Sequence, residues 1–274
     1  MGTSFKHPDV VDIPGAICGY WRDLCSAGAF LTWLPIAPRP PRPAAPVEAA
    51  DGEVLGRASA FFPLVGVGIG LASGLILLAA FEVGLHPLTC ALIALATGAL
   101  LTRALHEDGL ADFADGLGTL GTAERRLEVM RDSRIGTFGT LAVIFGVSIR
   151  ASILSGLPSP DLAIGALIAA GAASRAMLPA AMRWQRPARE DGLAAGAGAP
   201  GWPQVITAAV LAFVAALFAV GFWVSLGIGL AVALATLMTT LVAQRTLGGQ
   251  TGDVLGAIQV IAETAALAAV AMLI

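Results

Sequence analysis

Three aspartates in one short acidic run, Asp108, Asp112 and Asp115, have the type and spacing for metal-dependent chemistry. Their i, i+4, i+7 spacing places all three carboxylates on one face of an α-helix. Carboxylates so close repel one another unless a cation lies between them, and residues 107–122 contain no Lys or Arg. Mg²⁺ is usually held by a few carboxylates together with substrate phosphates and water. The spacing therefore predicts a magnesium site; the alternative is a solvated helix end just outside a membrane.

Two arginine-bearing segments follow the acidic run and favour phosphate binding. Residues 125–139 (RRLEVMRDSRIGTFG) interleave an acid and a serine with arginines, and the amides around Gly136 could also hold phosphate. Residues 183–201 combine arginines with many glycines, which suits an anionic substrate. On pattern alone, either segment could instead be a loop whose arginines anchor it at the membrane. The candidate substrate-binding residues of these segments are Arg131, Asp132, Ser133, Arg134, Arg186 and Arg189.

A third segment, 248–253 (GGQTGD), enters the last apolar stretch of the chain. Gln250 and Thr251 are candidate substrate-binding residues there, and Asp253 is a candidate catalytic acid; helix capping is the simpler alternative for this segment. Glu263 follows, deep in the apolar stretch, where an ionisable group is costly and indicates function by default. Arg150 and Arg175 lie equally deep in other apolar stretches. We predict that Glu263 pairs with one of these arginines, either at a substrate site with Arg175 or as a structural ion pair.

The elements that position these residues are membrane helices. Of the 274 residues, 57% are hydrophobic and only 13% are charged, against about a quarter charged in soluble domains, and the mean hydropathy is +0.81. An apolar stretch of about 20 residues spans a bilayer. We therefore predict an all-α, polytopic bundle of about seven transmembrane helices that forms a catalytic domain over 61–274. The predicted spans are residues 61–83, 88–105, 138–156, 161–182, 204–220, 224–243 and 254–273.

Residues 1–60 are predicted to be a separate cytoplasmic or interfacial segment. Ala16–Leu34 is moderately apolar and favours an amphipathic helix against the membrane, and the proline-rich Pro35–Pro46 predicts an extended connector. The glycines of 61–70 (FFPLVGVGIG) favour close packing of the first span rather than phosphate binding, because no strand precedes them.

The arginines and lysines predict the orientation of the bundle. Nearly all of them lie before the first span or in alternate loops, whereas the opposite loops hold only Glu82, His86 and Asp161 as titratable groups. By the positive-inside rule the N-terminus and the arginine-rich loops are cytoplasmic and the C-terminus is outside. The acidic run and the predicted ligands are then expected on the cytoplasmic face of the cytoplasmic (inner) membrane.

Three motifs together carry a family resemblance: HEDGLADFADGLG (106–118), RRLEVMRDSRIGTFG (125–139) and GGQTGDVLGAIQVIAE (248–263). FLTWLPIAP (30–38), FFPLVGVGIG (61–70), Ser174-Arg175 and RPAREDGL (186–193) follow in the expected order. From about residue 26 to 270 the chain resembles the cobalamin synthase family, whose members are adenosylcobinamide-GDP ribazoletransferases.

The resemblance implies a transferase of vitamin B12 biosynthesis. It would join adenosylcobinamide-GDP to α-ribazole, or to its 5′-phosphate, release GMP and form adenosylcobalamin or its 5′-phosphate, with Mg²⁺ as cofactor. Asp108, Asp112 and Asp115 would hold the metal on the diphosphate, Asp253 would be a second ligand or general base, and His106 a base or a structural hydrogen-bonding group. The expected partners are these two small molecules and the bilayer, not nucleic acid. A homo-oligomer or an assembly with other cobalamin enzymes stays open.

Two other functions compete with this one. A CDP-alcohol phosphotransferase also uses aspartates at helical spacing, but it requires Ala-Arg shortly after Asp-Gly, and this chain has Leu110-Ala111-Asp112 there. A secondary transporter would use Glu263 and the two deep arginines as coupling groups. A transporter needs access from both faces, whereas the loops predicted outside are very short.

Overall fold

The computed structural model describes residues 13–34, 49–189 and 198–274, and every helix or strand assigned within these ranges is α-helical except for one short 3₁₀ turn. The all-α prediction is confirmed. The connector predicted at Pro35–Pro46 and residues 190–193 of the RPAREDGL motif lie outside the described residues. The helices, which we number in chain order, are α1 (Ile13–Leu31), α2 (Ala49–Ala58), α3 (Phe62–Glu82), α4 (Pro87–Thr102), α5 (Leu105–Gly118), α6 (Ala123–Val129), α7 (Thr137–Ser155), α8 (Pro160–Trp184), α9 (Trp202–Val220), α10 (Phe222–Leu247) and α11 (Gly252–Leu273).

Six stretches of the described chain are long and apolar enough to cross a membrane: Val54–Glu82, which contains α3, and the helices α7 to α11. They match six of the seven predicted spans. The polytopic helical membrane protein predicted from hydropathy is thus confirmed. The predicted interfacial helix at Ala16–Leu34 corresponds to α1, on which Tyr20 and Trp21 are more than 60% exposed.

The second predicted span, 88–105, corresponds to α4 and ends at a sharp break before α5. Helix α4 ends at Thr102 and α5 begins at Leu105, and their axes differ by 91°. The turn consists of Arg103 and Ala104, both in the left-handed region with φ of 56° and 54°. The turn contains the charged Arg103, and the polar residues of the acidic run follow it directly.

Helix α4 nevertheless runs from one end of the bundle to the other. Pro87, at its start, borders a cavity with Phe81 of α3 and Pro160 of α8. Leu105, just past its end, borders a different cavity with Phe62 at the start of α3 and Met182 near the end of α8. The described chain therefore has six crossings, or seven if the bent pair of α4 and α5 is one span.

Close backbone contacts hold α3 against α8, the helix at the centre of the bundle. Helix α8 is rich in Ala and Gly and is buried along most of its length. A Cβ at Gly66 would overlap the carbonyl of Gly171, and a Cβ at Gly70 would overlap the carbonyl of Leu167. Small residues allow such close approach between membrane helices. The packing role predicted for the glycines of 61–70 is confirmed for Gly66 and Gly70, whereas a Cβ at Gly68 would meet nothing within 4 Å.

Candidate active site

Helix α5 carries the acidic run, and the left-handed turn at Arg103-Ala104 directs it across the end of α11. Gly109 makes this contact possible: a Cβ there would lie 2.9 Å from the carbonyl oxygen of Asp253 and 3.1 Å from Cα of Gly256. The absence of a side chain on Gly109 and Gly256 thus brings the first turn of α11 against α5. This contact places Asp253 close to the aspartates of α5.

The carboxylates of Asp108, Asp112 and Asp253 form an acidic cluster. The charges of Asp253, Asp108 and Asp115 all act on the carboxylate of Asp112, and that of Asp108 acts on Asp253. The cation whose charge acts on both Asp112 and Asp253 is Arg189, from the loop after α8. Asp108 is exposed, and Asp112 and Asp253 are half-buried, so the cluster faces an accessible surface.

Asp115, the third predicted metal ligand, lies at the N-terminus of α7. Its Oδ2 accepts a hydrogen bond from the amide of Gly136 (2.7 Å), and its Oδ1 accepts one from the amide of Gly139 (2.9 Å). Both glycines are needed, because a Cβ on either would overlap the carboxylate. The Gly136 amide, which the sequence suggested for phosphate, donates to Asp115 instead. The Asp115 contact therefore joins α5 to α7.

The donor set of the acidic cluster fits a divalent cation. The acids supply hard oxygen ligands, which Mg²⁺ prefers. Among the described residues, no three His, Cys, Asp or Glu side chains converge closely enough to hold a metal ion by themselves. A magnesium ion ordinarily takes only one or two carboxylates and completes its octahedron with phosphate oxygens and water.

The predicted phosphate loop between α6 and α7 is at the surface. Arg134 donates to Asp132 through Nη2 (2.7 Å) and Nε (3.1 Å), and the backbone amide of Arg134 donates to the same carboxylate. These hydrogen bonds lower the pKa of Asp132 to about 2. Arg131 and Ser133 are exposed in the same loop. Since Gly136 ends this loop, the contact between Gly136 and Asp115 holds the loop close to α5.

The loops before α9 and before α11 are joined at Gln250. The backbone amide of Gln250 donates to the carbonyl of Arg186 (2.9 Å), and the backbone amide of Ala188 donates to the backbone carbonyl of Gln250 (2.8 Å). The buried side chain of Gln250 donates to the carbonyls of Met182 and Gln185. Thr251 caps α11, because its Oγ1 accepts from the amide of Val254. Asp253 therefore does not cap the helix, and its carboxylate accepts a hydrogen bond from the Thr251 hydroxyl (3.2 Å).

Glu263 pairs with both deep arginines inside the bundle, which confirms the predicted pairing and extends it. Its carboxylate lies 2.9 Å from Nη1 of Arg150 and 3.5 Å from Nη1 of Arg175. Glu107 forms a second ion pair with Arg150 at 3.2 Å. Gln259 donates to Glu263 (2.6 Å) and also lies 3.2 Å from the hydroxyl of Ser174. The sequence could have indicated Gln259, one turn before Glu263, as a partner; the role of Glu107 needed the three-dimensional contact.

His106 is 4% exposed and lies between two cavities. One cavity is the polar space around Arg150, Arg175 and Glu263. The other is an apolar pocket that reaches Asp108 and Asp253. The Nε2 atom of His106 is buried and has no hydrogen-bond partner. His106 therefore lies close to the acidic cluster, where the cluster borders the apolar pocket.

Comparison with known proteins matches nearly the whole chain to one family. Residues 23–271 match the family model described as cobalamin-5-phosphate synthase. The chain belongs to the cobalamin-5-phosphate synthase family. The match includes the acidic cluster, the arginine loops and the buried network, and it decides against the CDP-alcohol phosphotransferase and the transporter.

Named relatives cover the same length. The adenosylcobinamide-GDP ribazoletransferase of Bradyrhizobium diazoefficiens is 44% identical over 249 residues, which cover 90% of this chain and 93% of the relative. Those of Azorhizobium caulinodans (44% identical; 90% and 95% covered) and Rhizobium etli (42% identical; 92% and 97% covered) are similar in extent. No solved structure matches the chain.

Proposed function

We propose that the protein is a membrane-embedded adenosylcobinamide-GDP ribazoletransferase. It joins adenosylcobinamide-GDP to α-ribazole or its 5′-phosphate, in the last step of cobalamin nucleotide-loop assembly. The observation that carries the proposal is the acidic cluster of Asp108, Asp112 and Asp253 beside Arg189, in a chain that matches this family along nearly its whole length. Carboxylates for a metal and guanidinium groups for phosphate are the groups that phosphoryl transfer requires.

The reaction is a displacement at phosphorus. A hydroxyl oxygen of the ribazole ribose bonds to the phosphorus next to the cobinamide arm, and the bond from that phosphorus to the bridging oxygen breaks. GMP leaves with the bridging oxygen, and the hydroxyl proton passes to a general base. Asp253 is well placed for this role, because its carboxylate is half-buried, faces Asp108 and accepts a hydrogen bond from Thr251.

Magnesium is the cofactor that this donor set suits. Asp108 and Asp112 would hold it, together with the diphosphate and water. Asp115, which is hydrogen-bonded to the start of α7, would lie beside them on the same acidic face of α5. When bound, Mg²⁺ would neutralise the charge that develops on the transferring phosphate and on GMP. Arg189, Arg186, Arg131 and Arg134 are the arginines whose guanidinium groups would contact the phosphate oxygens from this side of the bundle.

The site faces the cytoplasm in this proposal. The acidic cluster lies at the end of the bundle where the arginine-rich loops lie, and the opposite end carries Glu82, His86 and Asp161. By the positive-inside rule, the active face would then lie at the cytoplasmic side of the inner membrane.

The deciding experiment is a release assay on the purified protein in liposomes. Adenosylcobinamide-GDP, α-ribazole and Mg²⁺ are supplied, and GMP and the corrinoid product are measured by liquid chromatography. We expect GMP and adenosylcobalamin in equal amounts, and no GMP when EDTA replaces Mg²⁺. Folded protein that releases no GMP with either α-ribazole or its 5′-phosphate would refute the proposal.

A further inference from the structure

The apolar pocket beside the acidic cluster has no role in the displacement described above. Helices α1, α2, α3, α5, α8 and α11 enclose it, and it contains about 720 Å³ of space, open solvent included. Asp108 and Asp253 are both on its wall. Whatever binds in the pocket therefore ends next to the reacting groups.

The walls of the pocket are apolar and partly aromatic. Phe30 and Phe62 stack with ring centroids 5.9 Å apart and planes 9° apart. Leu31, Leu178 and Met182 complete the inner wall, each 5% exposed or less. A flat aromatic group would be buried well between such side chains. A guanine base would not, because its several donors and acceptors would lose their hydrogen bonds to water.

His106 adds one polar group to the pocket. Its Nε2 is buried without a partner, and the residue lines the pocket wall. A buried polar atom without a partner is costly, and such an atom in a native structure calls for an explanation. With a proton on Nε2, His106 can donate one hydrogen bond to a ligand that is otherwise apolar.

We infer that this pocket binds the benzimidazole base of α-ribazole and that His106 donates to the free ring nitrogen of that base. The inference rests on the proposed function. A benzimidazole nucleoside has one flat, apolar bicycle, a single unsubstituted ring nitrogen that can only accept, and a ribose. With the base in the pocket, the ribose extends to Asp108 and Asp253, where its hydroxyl has to attack. His106 is then a residue that selects the base. An acyl chain would fit the apolar walls but would leave Nε2 of His106 unsatisfied.

A nucleoside analogue tests the hydrogen bond directly. In the indole analogue of α-ribazole, a C–H replaces the free ring nitrogen. With the wild-type enzyme we expect the KM for the analogue to be about tenfold higher than for α-ribazole, the effect of one buried hydrogen bond. With His106→Ala the KM for α-ribazole should rise about tenfold and the preference between the two nucleosides should vanish. His106→Gln, which keeps an N–H donor, should restore part of the preference.

A larger side chain in the pocket tests which molecule binds there. Leu178→Phe should raise the KM for α-ribazole about tenfold or more and leave the KM for adenosylcobinamide-GDP within about twofold. The matched control is Leu154→Phe, because Leu154 is equally buried (3% against 4% exposed) and lines a cavity at the other end of the bundle. The control should change neither KM. Binding of α-ribazole to liposome-bound enzyme without the corrinoid, measured by equilibrium dialysis, should weaken in parallel with the KM.

Three outcomes would overturn the assignment. In the first, His106→Ala lowers turnover of both nucleosides equally and keeps the preference, so that His106 is only structural. In the second, Leu178→Phe lowers turnover even at saturating α-ribazole, so that the substitution does not act on α-ribazole binding. In the third, the effect of Leu178→Phe changes with the acyl-chain length of the liposome, so that the pocket holds lipid. A wild-type enzyme that releases no GMP would instead refute the proposed function.

Discussion

The aspartates of α5 share one helix face but not one environment. Asp112 is surrounded by the charges of Asp108, Asp115 and Asp253, whereas Asp115 accepts two backbone hydrogen bonds from the start of α7. The i, i+4, i+7 spacing predicts a common face from local geometry alone. It does not show which carboxylate a distant helix will use, because that depends on how α7 and α11 pack against α5.

Asp112→Asn separates activity from stability. Removing one charge from a group of four carboxylates relieves repulsion, so the thermal unfolding midpoint in detergent should equal or exceed that of the wild type. Mg²⁺-dependent GMP release should fall about a hundredfold or more, because a ligand for the metal is lost. A folded Asp112→Asn protein with full, magnesium-dependent activity would contradict the metal-site proposal.

Asp115→Asn should behave in the opposite way. An asparagine keeps one acceptor oxygen but presents its NH₂ group to the second glycine amide, and an unsatisfied amide costs about 1–3 kcal/mol. The unfolding midpoint should therefore decrease by several degrees, and activity should follow the amount of folded protein. Unchanged stability with loss of the magnesium dependence would instead make Asp115 a direct metal ligand, as its spacing predicts.

At the scale of elements, the approach of α5 to α11 depends on Gly109. A Cβ there would lie 2.9 Å from the carbonyl of Asp253, so Gly109→Ala should separate the two helices and displace Asp253 from the aspartates of α5. We expect turnover to fall about tenfold or more, since small misplacements at a reacting centre are costly. The control is Gly68→Ala in α3, where a Cβ meets nothing within 4 Å. Similar activity in both variants would show that this contact does not position Asp253.

Most of the helices were predictable from the sequence, and the main exception is informative. Long apolar stretches show α3 and α7 to α11 directly, because a bilayer requires about 20 apolar residues for each crossing. The apolar stretch of α4 ends at Arg103-Ala104, but the left-handed turn there leaves no compositional mark, since its residues are not glycine. That break directs the acidic run across α11, so hydropathy could not show that Asp253 approaches it.

At the scale of the whole molecule, α4 decides whether the chain crosses the membrane six or seven times. Because α4 reaches from the Pro87 end of the bundle to the Leu105 end, we expect the turn after α3 and the loop after α5 to lie on opposite sides of the membrane. Val83 and Leu120 are 76% and 91% exposed in these two places. In a Cys18→Ser background, which removes the exposed thiol among the described cysteines, Val83→Cys and Leu120→Cys should react with an impermeant maleimide from opposite sides. Labelling from one side would show that α4 and α5 form a re-entrant loop.

The buried ion network joins four helices in the interior of the bundle. Glu107 of α5 and Arg150 of α7 meet Arg175 of α8 and Glu263 of α11. Two cations and two anions balance, and both arginines are 3% exposed or less. Arg150 donates to Glu107, Glu263 and the carbonyl of Gly146, whereas Nε of Arg175 is buried without a partner. The charge balance favours a structural role for this set over the substrate-binding role predicted for Arg175 and Glu263.

Glu263→Gln tests that choice. Removing one partner of a buried ion pair leaves the opposite charge uncompensated, at a cost of about 3–5 kcal/mol. The unfolding midpoint should fall strongly, while folded molecules should keep the KM of the wild type for both substrates. Glu82→Gln, at the exposed end of α3, removes the same charge and should leave the midpoint unchanged. If Glu263→Gln instead keeps the midpoint and raises the KM for adenosylcobinamide-GDP, then the carboxylate of Glu263 holds substrate, and the network belongs to the active site rather than to the frame that supports it.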